Sequence, residues 1–143
     1  MKYSTFWQNG ECIALSEVNA LFFNYVLSRR GWVYIAYNRG YPGVLKVGRT
    51  SKTPTQRMRT LSSAGVLEEY ECLRSMKFVD SHWAEARIHE LLGVTRVRKE
   101  FFQASADDIY AVFLRVQREE MLILKDIARE KLLHAPSLQL YQS

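Results

Sequence analysis

Residues 31–59 read GWVYIAYNRGYPGVLKVGRTSKTPTQRMR, and this stretch decides the fold. Trp32–Tyr37 is rich in aromatic and β-branched residues, and Val44–Arg49 alternates apolar and polar side chains, so both are predicted to be strands. The turn-rich residues 38–43 between them predict a hairpin. Pro54 suits the first turn of a helix, so a basic helix is expected to follow at once.

Three side chains of this stretch are expected to converge. Tyr34 and Lys46 would lie on the two neighbouring strands, and Arg57 would lie on the helix that follows. A phenol can move a proton, and an ammonium and a guanidinium can hold negative charge, so together these groups can handle a phosphodiester. Periodicity alone favours a plainer interpretation, with Tyr34 in the core and Arg57 solvated.

The distribution of charge points to an anionic partner. The chain has a formal net charge of +5 and a pI of about 9.3, and it has no Asp or Glu from Val18 to Leu67. Cations without counter-charges repel one another, so a phosphate-facing surface is favoured over chance clustering of solvated side chains. The basic residues of this segment are Arg29, Arg30, Arg39, Lys46, Arg49, Lys52, Arg57 and Arg59.

A chain of 143 residues has the size of one domain. We expect an N-terminal extension with a short helix over residues 1–30, a main domain over residues 31–104, and a C-terminal helix and tail over residues 105–143, packed on the same domain. The extension would begin with a small hairpin around Asn9-Gly10. Strand-like alternation follows in Tyr70–Val79, and the next helix would be capped by Asp80 or Ser81.

Cysteine use and hydropathy favour a cytoplasmic protein without membrane association. Cys12 and Cys72 lack the close spacing of a structural zinc site. The N-terminus shows no basic region leading into a long apolar run, as a secretion signal would. The run Leu21–Leu27 is far too short to span a bilayer.

The triplets WVY at 32–34 and KVG at 46–48 resemble the two signature triplets of the GIY-YIG nuclease family. Tyr34 matches the central tyrosine of the first triplet, whereas Lys46 replaces the tyrosine of the second. The resemblance continues through YPGVLKVGRT, QRMRTLSSAGV, HWAEARIHELL and RKEFF and covers about residues 31–104. It looks like the phage-associated branch, whose members commonly carry a lysine at this position.

The resemblance implies an α/β fold of the α+β type. A small, three-stranded, mainly antiparallel sheet would be flanked by helices, with the long C-terminal helix as an addition. It also implies a metal-dependent endonuclease that hydrolyses DNA phosphodiester bonds.

The resemblance assigns roles to individual residues. Tyr34, helped by Lys46, would take a proton from the attacking water, and Arg57 would hold the charge that builds on phosphorus. Glu85 would be the single acidic ligand of Mg²⁺ or Mn²⁺, which assists the departing oxygen. His89 would orient Glu85, bond the backbone or assist with a proton. Further contacts to nucleic acid are expected from Arg39, Arg49, Lys52 and Arg59.

Two other positions bear on the site. His82, Glu85 and His89 share one helical face, but no third strong ligand is near in sequence, so zinc is disfavoured. Glu100 is expected to close the domain structurally together with Phe101-Phe102, which would form a short strand or an anchoring turn. A salt bridge of Glu100 to a basic residue of the site is the lesser alternative. Leu61 stands where some family members carry a histidine or tyrosine.

Two alternative functions stay open. The replaced second tyrosine and Leu61 favour a catalytically inactive module that binds DNA or RNA. The other is a phage or mobile-element interaction protein whose C-terminal helix pairs with a host partner or forms a homodimer. DNA is the expected partner of the enzyme, and RNA is kept as an alternative.

Overall fold

The computed structural model describes residues 5–8, 11–14, 24, 27–63 and 68–133. By compactness the chain divides into two units. One comprises Met1–Ser28 with Met121–Ser143, and the other is Arg29–Glu120.

The first unit contains the predicted N-terminal hairpin. Strands β1 (Thr5–Gln8) and β2 (Glu11–Ala14) pair antiparallel, with Gln8 opposite Glu11. The hairpin prediction is therefore confirmed, because two residues separate the strands as the Asn-Gly signal requires. The helix predicted to follow it lies largely outside the described residues.

The second unit alternates strands and helices. Its strands are β3 (Gly31–Asn38), β4 (Leu45–Thr50), β5 (Tyr70–Phe78), β6 (Arg96–Arg98) and β7 (Phe101–Phe102). Its helices are α1 (Pro54–Ser63), α2 (Ser81–Leu91) and the first part of α3 (Ala106–Leu133), with a 3₁₀ turn at Gly93–Thr95. The first three strands and all three helices lie where the sequence patterns predict them, to within about two residues.

The sheet has five strands, and the predicted number of three is wrong. The strand order is β5-β3-β4-β7-β6, and every pair is antiparallel. The two additional strands have three and two residues, which is too short for a period-two pattern to be seen. Phe101–Phe102, expected as a short strand or an anchoring turn, pairs with Lys46 and Leu45.

Gly31 opens β3. A Cβ at this position would lie 2.6 Å from the Thr50 carbonyl oxygen and 2.8 Å from the Ser81 Oγ. The Ser81 hydroxyl also donates to the Arg29 carbonyl at 2.8 Å. A glycine is therefore needed where the start of β3 meets the end of β4 and the first residue of α2.

Each face of the sheet carries its own apolar cluster. Val33, Ile35 and Val47 face α2 and α3, and with Phe102 they belong to the main core. The opposite face buries Tyr34, Ala36 and Met58, and Leu61 of α1 packs beside them. Alternation along β3 thus places Tyr34 on the α1 face, away from the main core.

Helix α3 begins after a side-chain cap. The Ser105 Oγ accepts a hydrogen bond from the Asp108 backbone N–H at 3.1 Å. Ile109, Phe113 and Val116 are fully buried in the main core. Among the helices that the structure describes, none is long and apolar enough to cross a membrane.

Two carboxylates hold the turn between β5 and α2. The Glu120 side chain accepts hydrogen bonds from the backbone N–H groups of Val79 at 2.9 Å and Asp80 at 3.0 Å. The Asp80 carboxylate caps α2 by accepting from the Trp83 N–H at 3.0 Å, as predicted, and it pairs with Arg29 at 2.7 Å. These contacts fix the start of the helix that carries Glu85 and His89.

Candidate functional site

Tyr34 and Gly48 form the centre of the candidate site. They are directly opposite each other on β3 and β4, and Tyr34 is fully buried. A Cβ on Gly48 would lie only 2.5 Å from the Tyr34 hydroxyl oxygen. The tyrosine ring therefore lies over the glycine, which explains why the KVG triplet has no side chain at its third position.

Arg57 of α1 reaches the same phenol. Its Nε donates to the Tyr34 hydroxyl oxygen, with 3.4 Å between the two atoms. Burial raises the pKa of Tyr34, Arg57 opposes the rise, and the negative charges of Glu100 and Glu85 add to it. The net rise means that the phenol holds its proton at neutral pH.

Lys46 shares this face of the sheet, because it lies opposite Ala36. Its Nζ pairs with the Glu100 Oε2 at 2.6 Å, and the Glu100 carbonyl accepts from the Val47 N–H at 2.9 Å. Glu100 belongs to a two-residue turn between β6 and β7, in which Lys99 has a φ of 49°. The lesser alternative for Glu100, a salt bridge to a basic residue of the site, is the one that the structure contains.

Glu85 of α2 approaches these charges from the other side of β4. It is half-buried, and burial followed by the nearby Glu100 raises its pKa. The cations Arg49 and Lys46 and a backbone hydrogen bond from Arg49 oppose that rise. The charges in this region therefore link four predicted residues: Tyr34, Lys46, Arg57 and Glu85. Glu100 acts on both Tyr34 and Glu85, and the sequence did not indicate a role of this extent for it.

A divalent cation fits the donor chemistry of Glu85 and Glu100. Mg²⁺ is commonly held by one or two carboxylates, with water and substrate phosphate completing its shell. Burial and then the charge of Glu100 raise the pKa of Glu85, and a bound cation would relieve the repulsion between the two carboxylates. Among the described residues, no group of three or more His, Cys, Asp or Glu could hold a metal on its own. The arrangement suits a cation shared with substrate rather than a closed protein site.

His89 is bound to the backbone of β4. Its Nε2 lies 2.8 Å from the Val47 carbonyl oxygen, and its ring packs on Phe102 with 5.1 Å between centroids. Because a carbonyl only accepts, Nε2 must be the donor. Burial lowers the pKa of His89, so the ring is neutral at neutral pH. Of the three roles expected for His89, the structure supports the backbone contact. His82, on the same helix, is exposed.

Of the four cations predicted to contact phosphate, only Arg49 is described beside the site residues. Arg49 lies opposite Val33, on the α2 face of the sheet, and its Nε donates to the Ser81 Oγ at 3.2 Å. The other three are exposed: Arg39, Lys52 and Arg59. Leu61 packs against the Tyr34 cluster, so α1 contributes an apolar wall at that position.

Fold and site together define a small α+β domain with a buried tyrosine, two basic side chains and two carboxylates around the centre of its sheet. The family model of the T5orf172 domain matches residues 31–117, which is more than half of the chain, and the chain belongs to this family. The family is phage-associated and related to GIY-YIG and nuclease-like folds, and it points to a DNA-related or nuclease-like function. Comparisons with curated proteins and with solved structures found no match.

Proposed function

We propose that this protein is a GIY-YIG-type endonuclease that hydrolyses DNA phosphodiester bonds with the help of Mg²⁺ or Mn²⁺. The observation that carries the proposal is the environment of the Tyr34 phenol. It accepts a hydrogen bond from Arg57, and the negative charges of Glu100 and Glu85 raise its pKa. A tyrosine with a purely structural role in the core would not require a guanidinium and two carboxylates near its hydroxyl group.

Two cations would bind the phosphate. The planar guanidinium of Arg57 can donate to two nonbridging oxygens, so it would hold the charge that builds on phosphorus. Lys46 would turn from Glu100 to the phosphate when substrate arrives, since a single flexible side chain can serve either anion. His89 positions β4 through the Val47 carbonyl and is a positioning residue.

Tyr34 would accept the proton of the attacking water as a phenolate, after releasing its own proton to solvent. In the free protein the phenol is neutral, because burial and the two carboxylates hold its proton in place. Arg57 favours the phenolate, and so would any cation that neutralises Glu85 or Glu100. The phenolate would therefore be favoured when substrate and metal are bound, and not in the free protein.

Glu85 would hold the metal ion, with Glu100 beside it. When bound, the ion supplies positive charge next to the phosphate and the departing oxygen. The raised pKa of Glu85 means that acid protonates this carboxylate more readily than an ordinary glutamate. Activity should therefore fall on acidification from neutral pH, as the ligand loses its charge.

Nicking of supercoiled plasmid tests the enzyme. Wild-type protein with Mg²⁺ should nick the plasmid, and Glu85→Gln should lose about 100-fold or more in rate, the scale seen when one charge-stabilising group is removed. Glu90→Gln is the matched control, because Glu90 lies on the same helix, is exposed and pairs with Arg87 at 3.1 Å. Equal rates for the two variants would refute the role of Glu85.

A non-catalytic nucleic-acid-binding module is the second candidate. It is favoured by the closed state of two site groups, since Tyr34 is fully buried and Lys46 already has a carboxylate partner at 2.6 Å. Retention of plasmid by wild type, without nicking in either Mg²⁺ or Mn²⁺, would support this candidate over the enzyme.

A further inference from the structure

A groove of about 420 Å³ opens beside Lys46, within the size range of roughly 300–1,000 Å³ that small ligands occupy. Its walls combine aromatic rings with positive charge. The rings belong to Tyr41, Tyr70 and Phe101, and the charges belong to Lys46, Arg98 and Lys99. Among the lining residues that the structure describes, the charged ones are all cations.

The aromatic wall is held in place before any ligand arrives. Tyr41 is 49 % exposed, and its backbone N–H donates to the Asn38 carbonyl at 3.0 Å in a tight turn. Its ring contacts that of Phe101, with 5.6 Å between centroids, and Phe101 is anchored by pairing with Lys46 in the sheet. An exposed ring on a fixed support is a surface on which a flat ligand can stack.

The groove is continuous with the candidate active site. The Lys46 Nζ lies 5.3 Å from the centre of the Phe101 ring and also pairs with Glu100. Arg98 and Lys99 are exposed in the hairpin that presents Glu100. A ligand that fills the groove would therefore place a phosphate close to the cations of the site.

We propose that this groove stacks an unpaired nucleobase adjacent to the phosphate that is cut, so that the preferred substrate is DNA with a bulge, flap or single-stranded segment. This inference rests on the proposed function. Rings that stack on a base and cations that follow the backbone are the shared features of single-strand binding surfaces. A base inside an intact duplex has no free face and cannot enter the groove.

The test is a binding measurement in Ca²⁺ or EDTA, with a duplex that carries one bulged 2-aminopurine and a fully paired duplex as its partner. Wild type should quench the bulged fluorophore by stacking and bind the bulged duplex about tenfold more tightly than the paired one. Tyr41→Leu should lose both the quenching and the preference. Tyr41→Phe keeps the ring face and should retain both.

Charge is tested separately from stacking. Lys99→Asn removes a groove cation, while asparagine tolerates the φ of 49° that Lys99 adopts. It should weaken binding to both duplexes and reduce the salt dependence of binding, but leave the preference for the bulge intact. Loss of the bulge preference alone in this variant would contradict the assignment of the rings to base stacking.

Cleavage of the same two duplexes in Mg²⁺ separates this inference from the proposed function. A bulge preference with quenching but no cleavage supports the groove and refutes the enzyme. Cleavage of both duplexes at equal rates, unchanged by Tyr41→Leu, refutes the groove and leaves the enzyme standing. Competition by an acidic peptide, with no quenching of the bulged base, would also overturn the groove as a base-binding site.

Discussion

The Tyr34 ring lies so close to Gly48 that a side chain at position 48 would clash with it. Gly48→Ala would place a methyl group 2.5 Å from a buried hydroxyl oxygen, so the rigid ring would have to move. We expect a loss of about 1–3 kcal/mol in the free energy of unfolding, together with a weakened contact between Tyr34 and Arg57. Urea denaturation measures the first effect, and plasmid nicking measures the second.

The matched control is Gly93→Ala, where an added Cβ would meet no described atom within 4 Å. This substitution should change stability by much less than Gly48→Ala. Equal effects of the two substitutions would contradict the close approach of the Tyr34 ring to β4.

The protonation of Tyr34 predicts how nicking depends on pH. Because its pKa is raised above that of an ordinary phenol, the phenolate is scarce at neutral pH and increases with each step towards alkaline pH. If Tyr34 is the base, the rate should rise about tenfold per pH unit above neutrality, until the pH reaches the pKa that Tyr34 has in the substrate- and metal-bound protein. Single-turnover rates across this range test the prediction.

Tyr34→Phe should abolish most of the activity and flatten what remains of the profile. A wild-type rate that does not vary between neutral and alkaline pH would rule out the phenolate as base. Binding of DNA by Tyr34→Phe in Ca²⁺ shows whether the fold and the phosphate contacts survive the substitution.

At the scale of elements, the attachment of α2 determines where Glu85 lies. Glu120 of α3 accepts hydrogen bonds from two backbone N–H groups in the turn before α2. Glu120→Ala leaves both donors in a partly buried turn without this partner, so a loss of about 1–3 kcal/mol in the free energy of unfolding is expected.

Glu130→Ala is the control for that substitution, because Glu130 lies on the same helix and is exposed. It should leave the unfolding midpoint nearly unchanged. Glu120→Gln keeps one acceptor and should fall between the two. A Glu120→Ala protein as stable as Glu130→Ala would show that the turn does not depend on this carboxylate.

The elements with a long, regular pattern were predictable, and the short ones were not. The aromatic and β-branched residues of β3 and the alternation of β4 are local patterns that extend over six or more residues. Strands β6 and β7 hold together because β7 pairs with β4 and buries Phe102 in the main core. Because these strands are stabilised by tertiary contacts, no local sequence pattern predicts them.

The same division applies to the site. Tyr34, Lys46 and Arg57 could be placed together because they lie on consecutive elements that pair or pack locally. The Lys46–Glu100 ion pair joins residues 54 positions apart and depends on β7, a strand that the sequence left ambiguous. Full burial of Tyr34 agrees with the plainer interpretation that periodicity favoured, in which this side chain belongs to the core.

At the scale of the whole molecule, α3 is needed for the fold of the second unit. Ile109, Phe113 and Val116 are each fully buried. At about 1.5–3 kcal/mol for each side chain, their loss would remove most of the 5–15 kcal/mol that stabilises a typical domain. A chain ending at Ala104 should therefore not fold, whereas a chain ending at Lys125 should retain the second unit.

Thermal unfolding and light scattering of these two shortened chains test this prediction. A cooperative transition for the chain ending at Ala104 would contradict the role given to α3. The oligomeric state of the Lys125 chain, compared with that of the full chain, also tests the alternative in which the C-terminal helix forms a homodimer.

The charges of Arg57, Glu85 and Glu100 act together on the Tyr34 phenol as one cluster. Fluorine NMR of fluorotyrosine-labelled protein, assigned with Tyr34→Phe, follows the titration of this single phenol. Glu85→Gln and Glu100→Gln remove negative charges that raise the pKa of Tyr34, so each should lower it, whereas Arg57→Gln should raise it. Glu90→Gln should leave it unchanged. A Tyr34 titration that none of the three cluster substitutions alters would contradict the account.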